Sequence, residues 1–251
     1  MLSRRALDLA AFDAVIVDLD GTMVDTLGDF VVALNLMLAD LPAPLAHAQM
    51  TRATVETLVG KGSEHVVHRV LGLCGKVVDE VVDGVVNAAG TSAPTPAASP
   101  NHPLFAQALA RYQHHYLQVN GQQAEVYPGV IDGLRQLQAR GLRLACLTNK
   151  PTRFALALLA AKGLDGFFDF TFGGDAFAFK KPHPLPLLQT CAALGTAPAR
   201  TLMVGDSSND AQAARAAGCP VLLVSYGYNH GQPIDAVDAD GLVDSLADLG
   251  L

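Results

Sequence analysis

An apolar run that ends in two closely spaced aspartates constrains this chain more than any other feature. The run VIV at 15–17 is followed by Asp18, Leu19, Asp20 and Gly21. Side chains two residues apart on a strand point the same way, so Asp18 and Asp20 are expected to converge at its carboxyl end, where Gly21 permits a sharp turn. Converging carboxylates repel each other unless a cation or a shared proton lies between them. The segment therefore indicates a catalytic or metal site, although a plain turn or a calcium loop is an alternative for this segment alone.

Three further segments supply polar groups, two of them directly after apolar runs. In an open parallel sheet, ligands bind beyond the carboxyl ends of the strands, so segments that are distant in sequence are expected to meet there. This pattern predicts an α/β fold with a doubly wound parallel sheet. The segments are TNKP at 148–151, KKPHP at 180–184 and GDSSND at 205–210.

The order and spacing of these segments resemble the four motifs of the haloacid dehalogenase (HAD) superfamily of phosphotransferases. Each motif alone is a weak signal, but four in the right order argue against a chance match. The resemblance implies a Rossmann-like core and phosphoryl-transfer chemistry. The matching residues are DLDGT at 18–22, Thr148 with Asn149, Lys181 before Pro182, and Gly205 and Asp206 with Asp210.

The chain between the first two motifs is far longer than the roughly 30 residues of a strand-helix-strand unit. It contains helix-period apolar patterns, for example Phe30, Leu34 and Leu38, and lacks clear strand runs until Val126. We therefore expect a small α-helical cap domain inserted in the core. The predicted domains are a catalytic core of residues 1–26 and 125–251 and a helical cap of residues 27–124.

The inserted helical cap resembles that of the phosphoglycolate phosphatase branch of the superfamily. That branch also shares YPGV at 127–130 and KKPHP at 180–184. Residues 88–103 are rich in Ala, Pro, Ser and Thr and are expected to form a loop between cap helices. Other predicted helices are 104–119, 130–140, 152–162 and 211–217, and other predicted strands are 142–147, 167–172, 201–204, 220–224 and 242–243.

Composition and charge exclude some classes of binding partner. The chain is 50% hydrophobic and 16% charged, which is typical of a globular protein with a sizeable core. Its net charge of -7 leaves no basic surface for nucleic acid, and prolines interrupt the long uncharged stretch at 84–110, so no membrane span is expected. The predicted partner is a small phosphorylated metabolite, and both a monomer and a homodimer remain open.

The cysteines and the amino terminus favour a cytoplasmic location. The four cysteines are scattered without a Cys-x-x-Cys spacing, which indicates reduced thiols. Asp8, Asp13 and Asp18 interrupt the segment that follows Arg4 and Arg5, which argues against a signal peptide.

A phosphate group approaching these carboxylates requires a divalent cation. Two unit charges of the same sign repel by about 4 kcal/mol at about 4 Å and an effective dielectric constant near 20. Oxygen ligands of this kind suit Mg²⁺, the expected cofactor. The resemblance implies that Asp18 and Asp206 bind it through their side chains and Asp20 through its main-chain carbonyl.

Two aspartates are expected to share the chemistry. Asp18 is placed to attack phosphorus and form an aspartyl-phosphate. Asp20 is expected to protonate the leaving oxygen and then to take a proton from the water that hydrolyses the intermediate. The presence of Asp20 disfavours dehalogenation.

Three residues resemble the phosphate-binding groups of the family, namely Thr148, Asn149 and Lys181. Lys181 is preferred to Lys180 because the family's lysine directly precedes proline. A turn or a helix cap is an alternative for Thr148 and Asn149. Asp210 either caps the following helix or orients Lys181 or a metal-bound water, and Thr22 is expected at the hinge of the cap.

Substrate choice is expected to come from the cap. Lys61 lies in GKG at 60–62, which resembles the cap loop of phosphoglycolate phosphatases, and it is predicted to bind a substrate carboxylate; a solvated surface lysine is the alternative. The predicted activity is Mg²⁺-dependent hydrolysis of 2-phosphoglycolate. Open alternatives are a sugar-phosphate or nucleoside-monophosphate phosphatase, a phosphomutase, and a catalytically idle phosphate-binding module. Residues competing with Lys61 are Arg52, His65, His68 and Arg69.

Overall fold

A computed structural model describes residues 8–82 and 102–250 of the chain. The strands are β1 (Ala14–Val17), β2 (Val24–Asp25), β3 (Glu125–Val126), β4 (Arg143–Leu147), β5 (Phe170–Phe172), β6 (Thr201–Gly205), β7 (Val221–Val224) and β8 (Gly241–Val243). The helices are α1 (Leu27–Ala39), α2 (Arg52–Glu56), α3 (Ser63–Val82), α4 (Phe105–Val119), α5 (Val130–Ala139), α6 (Thr152–Ala161), α7 (Leu185–Leu194) and α8 (Ser208–Ala217).

Six strands form one parallel sheet in the order β5-β4-β1-β6-β7-β8. In the register, Val17 lies beside Cys146 of β4 and Val204 of β6. The three central strands therefore end at the same edge of the sheet, and strand order reverses at β1, which is where such sheets bind ligands. The predicted doubly wound α/β fold is confirmed.

Helices cover both faces of the sheet, which explains why its central strands read as continuous apolar runs. On one face, Val15 and Val17 of β1 belong to a buried cluster with apolar residues of α5 and α6. On the other face, Ile16 belongs to a cluster with residues of α7 and α8. All four residues of β1 are buried. The packed strand therefore fixes the position of the main chain that leads into Asp18 and Asp20.

Helices α1 to α4 form the predicted inserted helical unit. They share a third apolar cluster that includes Leu34, Val67 and Tyr112, joined by Phe154 of α6 and by Tyr228 after β7. The exact domain division after residues 26 and 124 stays a prediction. Residues 88–101 of the predicted loop at 88–103 lie outside the described residues.

In the part of the chain that the structure describes, no helix has both the length and the apolarity needed to cross a bilayer.

Several elements differ from the sequence-based prediction. Strands β2 and β3 pair antiparallel where the chain leaves and re-enters the core, and a two-residue strand carries too little periodicity for β2 to be predicted. Helix α7 was also missed. The predicted strand at 167–172 is regular only in β5, after a 3-10 turn at Asp165–Phe167. Helix α8 begins at Ser208 rather than at residue 211, because Ser207 and Asp210 form a capping box.

A buried carboxylate joins α1 to the segment that follows α4. The two carboxylate oxygens of Asp29 accept hydrogen bonds from the main-chain N–H groups of Gly121, at 2.6 Å, and Gln123, at 2.7 Å.

Asp29→Ala is expected to lower the free energy of unfolding by about 2–4 kcal/mol, because both donors lose a charged acceptor. Urea unfolding measures the loss, with Asp132→Ala on the exposed side of α5 as the control; equal stability of the two variants would refute this role.

Candidate active site

Asp18 lies at the carboxyl end of β1 and is almost fully buried. One of its carboxylate oxygens is 3.0 Å from the Nζ of Lys181 and accepts a hydrogen bond of 2.8 Å from the N–H of Leu19. The side chain is thus held at the sheet edge, beside a fixed positive charge.

Lys181 lies between two carboxylates. Its Nζ is also 2.7 Å from an oxygen of Asp210 and donates to the carbonyl of Leu147 at 2.7 Å. Burial alone would lower the pKa of this ammonium, but Asp18 and Asp210 outweigh that effect and raise the pKa above its ordinary value. Lys181 is therefore a permanent cation. Its neighbour Lys180 instead pairs with Glu64 of α3 at 2.8 Å.

Asp206 forms an acidic cluster with Asp18 and Asp210. One carboxylate oxygen of each residue lies within 4.8 Å of one oxygen of each of the other two. Asp206 follows β6, and its carboxylate accepts a hydrogen bond of 2.6 Å from the N–H of Tyr228. Both oxygens of Asp210 are already engaged, one by Lys181 and the other by Ser207. The available metal ligands in this group are therefore Asp18 and Asp206.

Asp210 makes contacts that fit both a helix cap and a partner of Lys181, the two alternatives that the sequence left open. It completes the capping box of α8 with Ser207, and it pairs with Lys181. A cap at the start of α8 thus also fixes the position of the buried ammonium.

The electrostatics of the group suit a divalent cation. Burial raises the pKa of Asp206 well above its ordinary value, and the carboxylates of Asp210 and Asp18 raise it further. Burial also raises the pKa of Asp18 to about 7, against the opposing effect of Lys181. Three buried carboxylates share one ammonium here, so a second positive charge would stabilise them, and the donors are all oxygens, as hard divalent cations require.

The backbone after Asp20 brings the chain close to Asp206. Gly21 has a φ of +83°, and a Cβ there would lie 2.0 Å from a carboxylate oxygen of Asp206. Only glycine fits this position without displacing Asp206. Thr22 is fully buried next to it; its carbonyl accepts a hydrogen bond from Tyr226, and its hydroxyl has no partner among the described residues.

Asp20 is paired with a lysine that the sequence analysis did not single out. The Nζ of Lys150 lies 2.9 Å from an oxygen of Asp20 and also donates to the hydroxyl of Tyr116. The Lys150 side chain is only 2% exposed. A single lysine in a turn after a strand reads as a solvated residue, and its position directly after Thr148 and Asn149 is the one signal that could have drawn attention to it.

Asn149 connects three parts of the site. Its side-chain amide donates to the carbonyls of Lys181, at 2.8 Å, and Gly60, at 2.9 Å, while its oxygen accepts from the N–H of Lys181 at 2.9 Å. In this arrangement the amide holds the lysine segment and the 60–62 loop. Thr148 is buried beside it and accepts a hydrogen bond from the N–H of Lys150. Direct contact of the Asn149 side chain with phosphate stays a prediction.

A pocket lies between the sheet edge and the inserted helices. It is lined by Asp18, Asp20 and Lys150 from the core and by aromatic residues of α1 and α4. Gly60 and Gly62 also line it, whereas Lys61 is exposed and is not among its lining residues. The predicted contact between Lys61 and a substrate carboxylate stays a prediction.

The residues that competed with Lys61 do not line this pocket either, within the described ranges. Arg52 pairs with Asp25 at 2.5 Å, and the ring of His68 stacks on Phe105. Burial, together with the positive charges of Lys61 and Arg69, lowers the pKa of His65 to about 4. His65 is consequently a neutral group near neutral pH.

The fold and the motif order agree with one family. The family model of the haloacid dehalogenase-like hydrolases matches residues 12–218, and the chain belongs to this family. The resemblance predicted from the motifs is thus confirmed, and the enzymes of this family generally use a divalent metal.

Individual relatives are more specific. The phosphoglycolate phosphatase of Thiobacillus denitrificans is 42% identical over 238 residues, covering 95% of this chain and 94% of that protein. The phosphoglycolate phosphatase of Nitrosospira multiformis is 40% identical, with coverages of 93% and 92%. A crystal structure of a predicted phosphoglycolate phosphatase from Haemophilus somnus superposes with a TM-score of 0.80 at 31% identity, covering 95% of this chain and 96% of its own.

Proposed function

We propose that this protein is a Mg²⁺-dependent phosphatase that hydrolyses 2-phosphoglycolate to glycolate and phosphate. The observation that carries the proposal is the buried pair of Asp18 and Lys181, 3.0 Å apart, beside Asp206, in a chain 42% identical to a phosphoglycolate phosphatase. Phosphoryl transfer through an aspartyl-phosphate needs a carboxylate nucleophile, a fixed positive charge and a metal site close together. Here these are Asp18, the ammonium of Lys181 and the acidic group that includes Asp206.

Asp18 and Asp206 would hold the Mg²⁺ through their side chains, and Asp20 through its main-chain carbonyl. When bound, the ion neutralises the phosphate oxygens and the attacking carboxylate. Asp210 does not bind the ion in this proposal; its carboxylate holds the ammonium of Lys181 in place. Thr22 is buried beside Gly21, and we assign it the positioning of the turn that carries Asp20.

Asp18 attacks phosphorus, so that a bond forms between its carboxylate oxygen and phosphorus while the bond from phosphorus to the ester oxygen breaks. Asp20 gives its proton to the leaving oxygen of glycolate. In the second half, Asp20 takes a proton from water, the water oxygen bonds to phosphorus, and Asp18 is released as a carboxylate. Both aspartates are thereby restored.

Lys181 and Thr148 stabilise the negative charge on the transferring group. The ammonium of Lys181 is already held beside Asp18, so the site does not have to reorganise during the reaction. Asn149 contributes by fixing the main chain of Lys181 on both its N–H and carbonyl sides. Lys61, which the sequence predicts as the carboxylate-binding residue, is exposed on a loop whose flanking glycines line the pocket.

The broader setting follows from the same features. The proposed partner is a small phosphorylated metabolite, since side chains of the helical insertion line the pocket together with those of the sheet edge. A cytoplasmic location is supported by the four cysteines, all of which are free and buried.

A substrate panel tests the proposal. Phosphate release is measured from 2-phosphoglycolate, glucose 6-phosphate, adenosine monophosphate and para-nitrophenyl phosphate, each with Mg²⁺, Mn²⁺, Co²⁺ or a chelator. We expect kcat/KM for 2-phosphoglycolate to exceed the others by about 100-fold, as a site that pairs a specific charged group achieves, and chelation to stop turnover. A higher kcat/KM for the sugar phosphate or the nucleotide would overturn the proposed substrate.

A further inference from the structure

Lys150 is a buried cation that has no role in the phosphoryl transfer proposed for this site. Asp18, Asp206 and Lys181 account for the phosphate and the metal, whereas Lys150 lies on the side of the pocket where Asp20 lies. Lysine is rarely buried unless its charge is paired. Lys150 has such a partner in Asp20, 2.9 Å away, and it also lines the pocket, so an anionic group of the substrate would lie within reach of its charge.

The surroundings of Lys150 hold its ammonium in place without consuming its binding capacity. Its Nζ lies 4.9 Å from the ring centre of Phe30 and 4.6 Å from that of Tyr116, so both rings contribute cation–π contacts. Its hydrogen-bond partners among the described residues are Asp20 and the Tyr116 hydroxyl. An ammonium has three N–H donors, which leaves one for a ligand in the pocket.

The chemistry of the substrate places its carboxylate next to Lys150. In 2-phosphoglycolate the carboxyl group is bonded to the same CH₂ as the ester oxygen. Asp20 must reach that ester oxygen to protonate it, and the Nζ of Lys150 is 2.9 Å from Asp20. A substrate that presents its ester oxygen to Asp20 therefore brings its carboxylate to the ammonium.

We propose that Lys150 binds the substrate carboxylate and, in doing so, exchanges its ion pair with Asp20 for one with the substrate. This inference rests on the proposed function and deepens it, because it assigns the residue that selects phosphorylated carboxylic acids. The exchange leaves the Asp20 oxygen free to contact the ester oxygen. Selection for a carboxylate and placement of the proton donor then depend on the same lysine.

Two other lysines near the pocket are less suited to this role. Lys61 is exposed, so water screens its charge and it does not line the pocket. Lys180 pairs with Glu64 at 2.8 Å and is about one third exposed. Lys150 is the one of the three that lines the pocket, and its side chain is held between core and helical insertion.

Lys150→Met tests the inference with two substrates that differ only at the carboxylate. Ethyl phosphate carries a CH₃ where 2-phosphoglycolate carries its carboxylate. We expect the ratio of kcat/KM for 2-phosphoglycolate to that for ethyl phosphate to fall about 100-fold or more, because a buried charge pair with the substrate is lost. Lys162→Met, at the end of α6, is the matched control and should keep the ratio of the unmodified protein.

The outcomes separate the inference from the proposed function. If Lys150→Met loses activity toward both substrates in equal proportion, Lys150 only positions Asp20 and the inference fails. If Lys61→Met abolishes the preference and Lys150→Met retains it, the carboxylate is bound by the loop. If the unmodified protein hydrolyses ethyl phosphate but not 2-phosphoglycolate, the proposed function itself fails.

A second variant and a ligand pair cover the case in which Lys150→Met does not fold. Lys150→Gln keeps a donor for Asp20 and for Tyr116 while removing the charge, and circular dichroism checks its fold. With the unmodified protein, 3-phosphonopropionate is expected to inhibit at least about 30-fold more strongly than propylphosphonate, which lacks the carboxylate. This difference should disappear in Lys150→Gln; its persistence would overturn the inference.

Discussion

Asp18→Asn is expected to reduce kcat for phosphate release from 2-phosphoglycolate by on the order of 10⁴-fold or more, as removal of a covalent nucleophile does in other enzymes. The amide oxygen of asparagine does not form a stable acyl phosphate, and the site loses one of its two proposed side-chain metal ligands. The protein is expected to stay folded, because a neutral amide costs less to bury than a carboxylate. Initial rates with saturating Mg²⁺, together with thermal unfolding, measure both effects.

The control for this variant is an aspartate of the same type outside the pocket. Asp132→Asn on α5 is largely exposed and is expected to match the unmodified protein in rate and in stability. Residual turnover of Asp18→Asn within about 100-fold of that of the unmodified protein would show that Asp18 is not the nucleophile.

Lys181→Met is expected to have the second-largest effect, on both activity and stability. The ammonium lies between Asp18 and Asp210, at 3.0 Å and 2.7 Å, and its side chain is 2% exposed. Removing one member of a buried charge group typically costs about 3–5 kcal/mol, because the remaining charges lose their compensation. We also expect kcat to fall by about 10³-fold, since a fixed donor to the transferring group is lost. Urea unfolding and steady-state kinetics measure the two losses.

A double variant separates the two consequences. Lys181→Met combined with Asp210→Asn removes one negative charge along with the positive one and keeps an oxygen for the Ser207 cap. We expect it to recover part of the lost stability and none of the lost activity. Recovery of activity would show that Lys181 acts by compensating Asp210 and not by stabilising the reacting phosphoryl group.

The sequence predicts the parts of the site that lie directly after strands. Asp18, Thr148 and Asp206 each follow a buried apolar run, and the parallel register brings these three strand ends to one edge. Their convergence is thus a consequence of strand order and hydrophobic pattern, both of which the chain shows locally.

The parts that were missed depend on contacts between distant segments. Lys150 becomes a buried cation only because Phe30 and Tyr116 of the inserted helices close over it. Tyr228 follows β7, has no motif of its own, and links Asp206 to the turn near Asp25 through its N–H and its hydroxyl. No local pattern in the sequence encodes such tertiary partners.

The loop containing Lys61 shows the limit of a motif match. The resemblance located the 60–62 loop next to the pocket, and the carbonyl of Gly60 accepts hydrogen bonds from Asn149 and Asn209. The main chain therefore forms the contact with the core, while the lysine side chain is exposed. Motif position indicated the segment, and packing decided which of its atoms face the site.

Trapping the phosphorylated enzyme tests the central claim, that Asp18 receives the phosphoryl group, most directly. The protein is mixed with excess 2-phosphoglycolate and Mg²⁺, quenched in acid within one turnover, and reduced with borohydride, which converts an aspartyl-phosphate to homoserine. Peptide mass spectrometry is expected to find the reduced residue at position 18 and nowhere else. Reduction at Asp20 or Asp206, or unmodified protein during rapid turnover, would contradict the account.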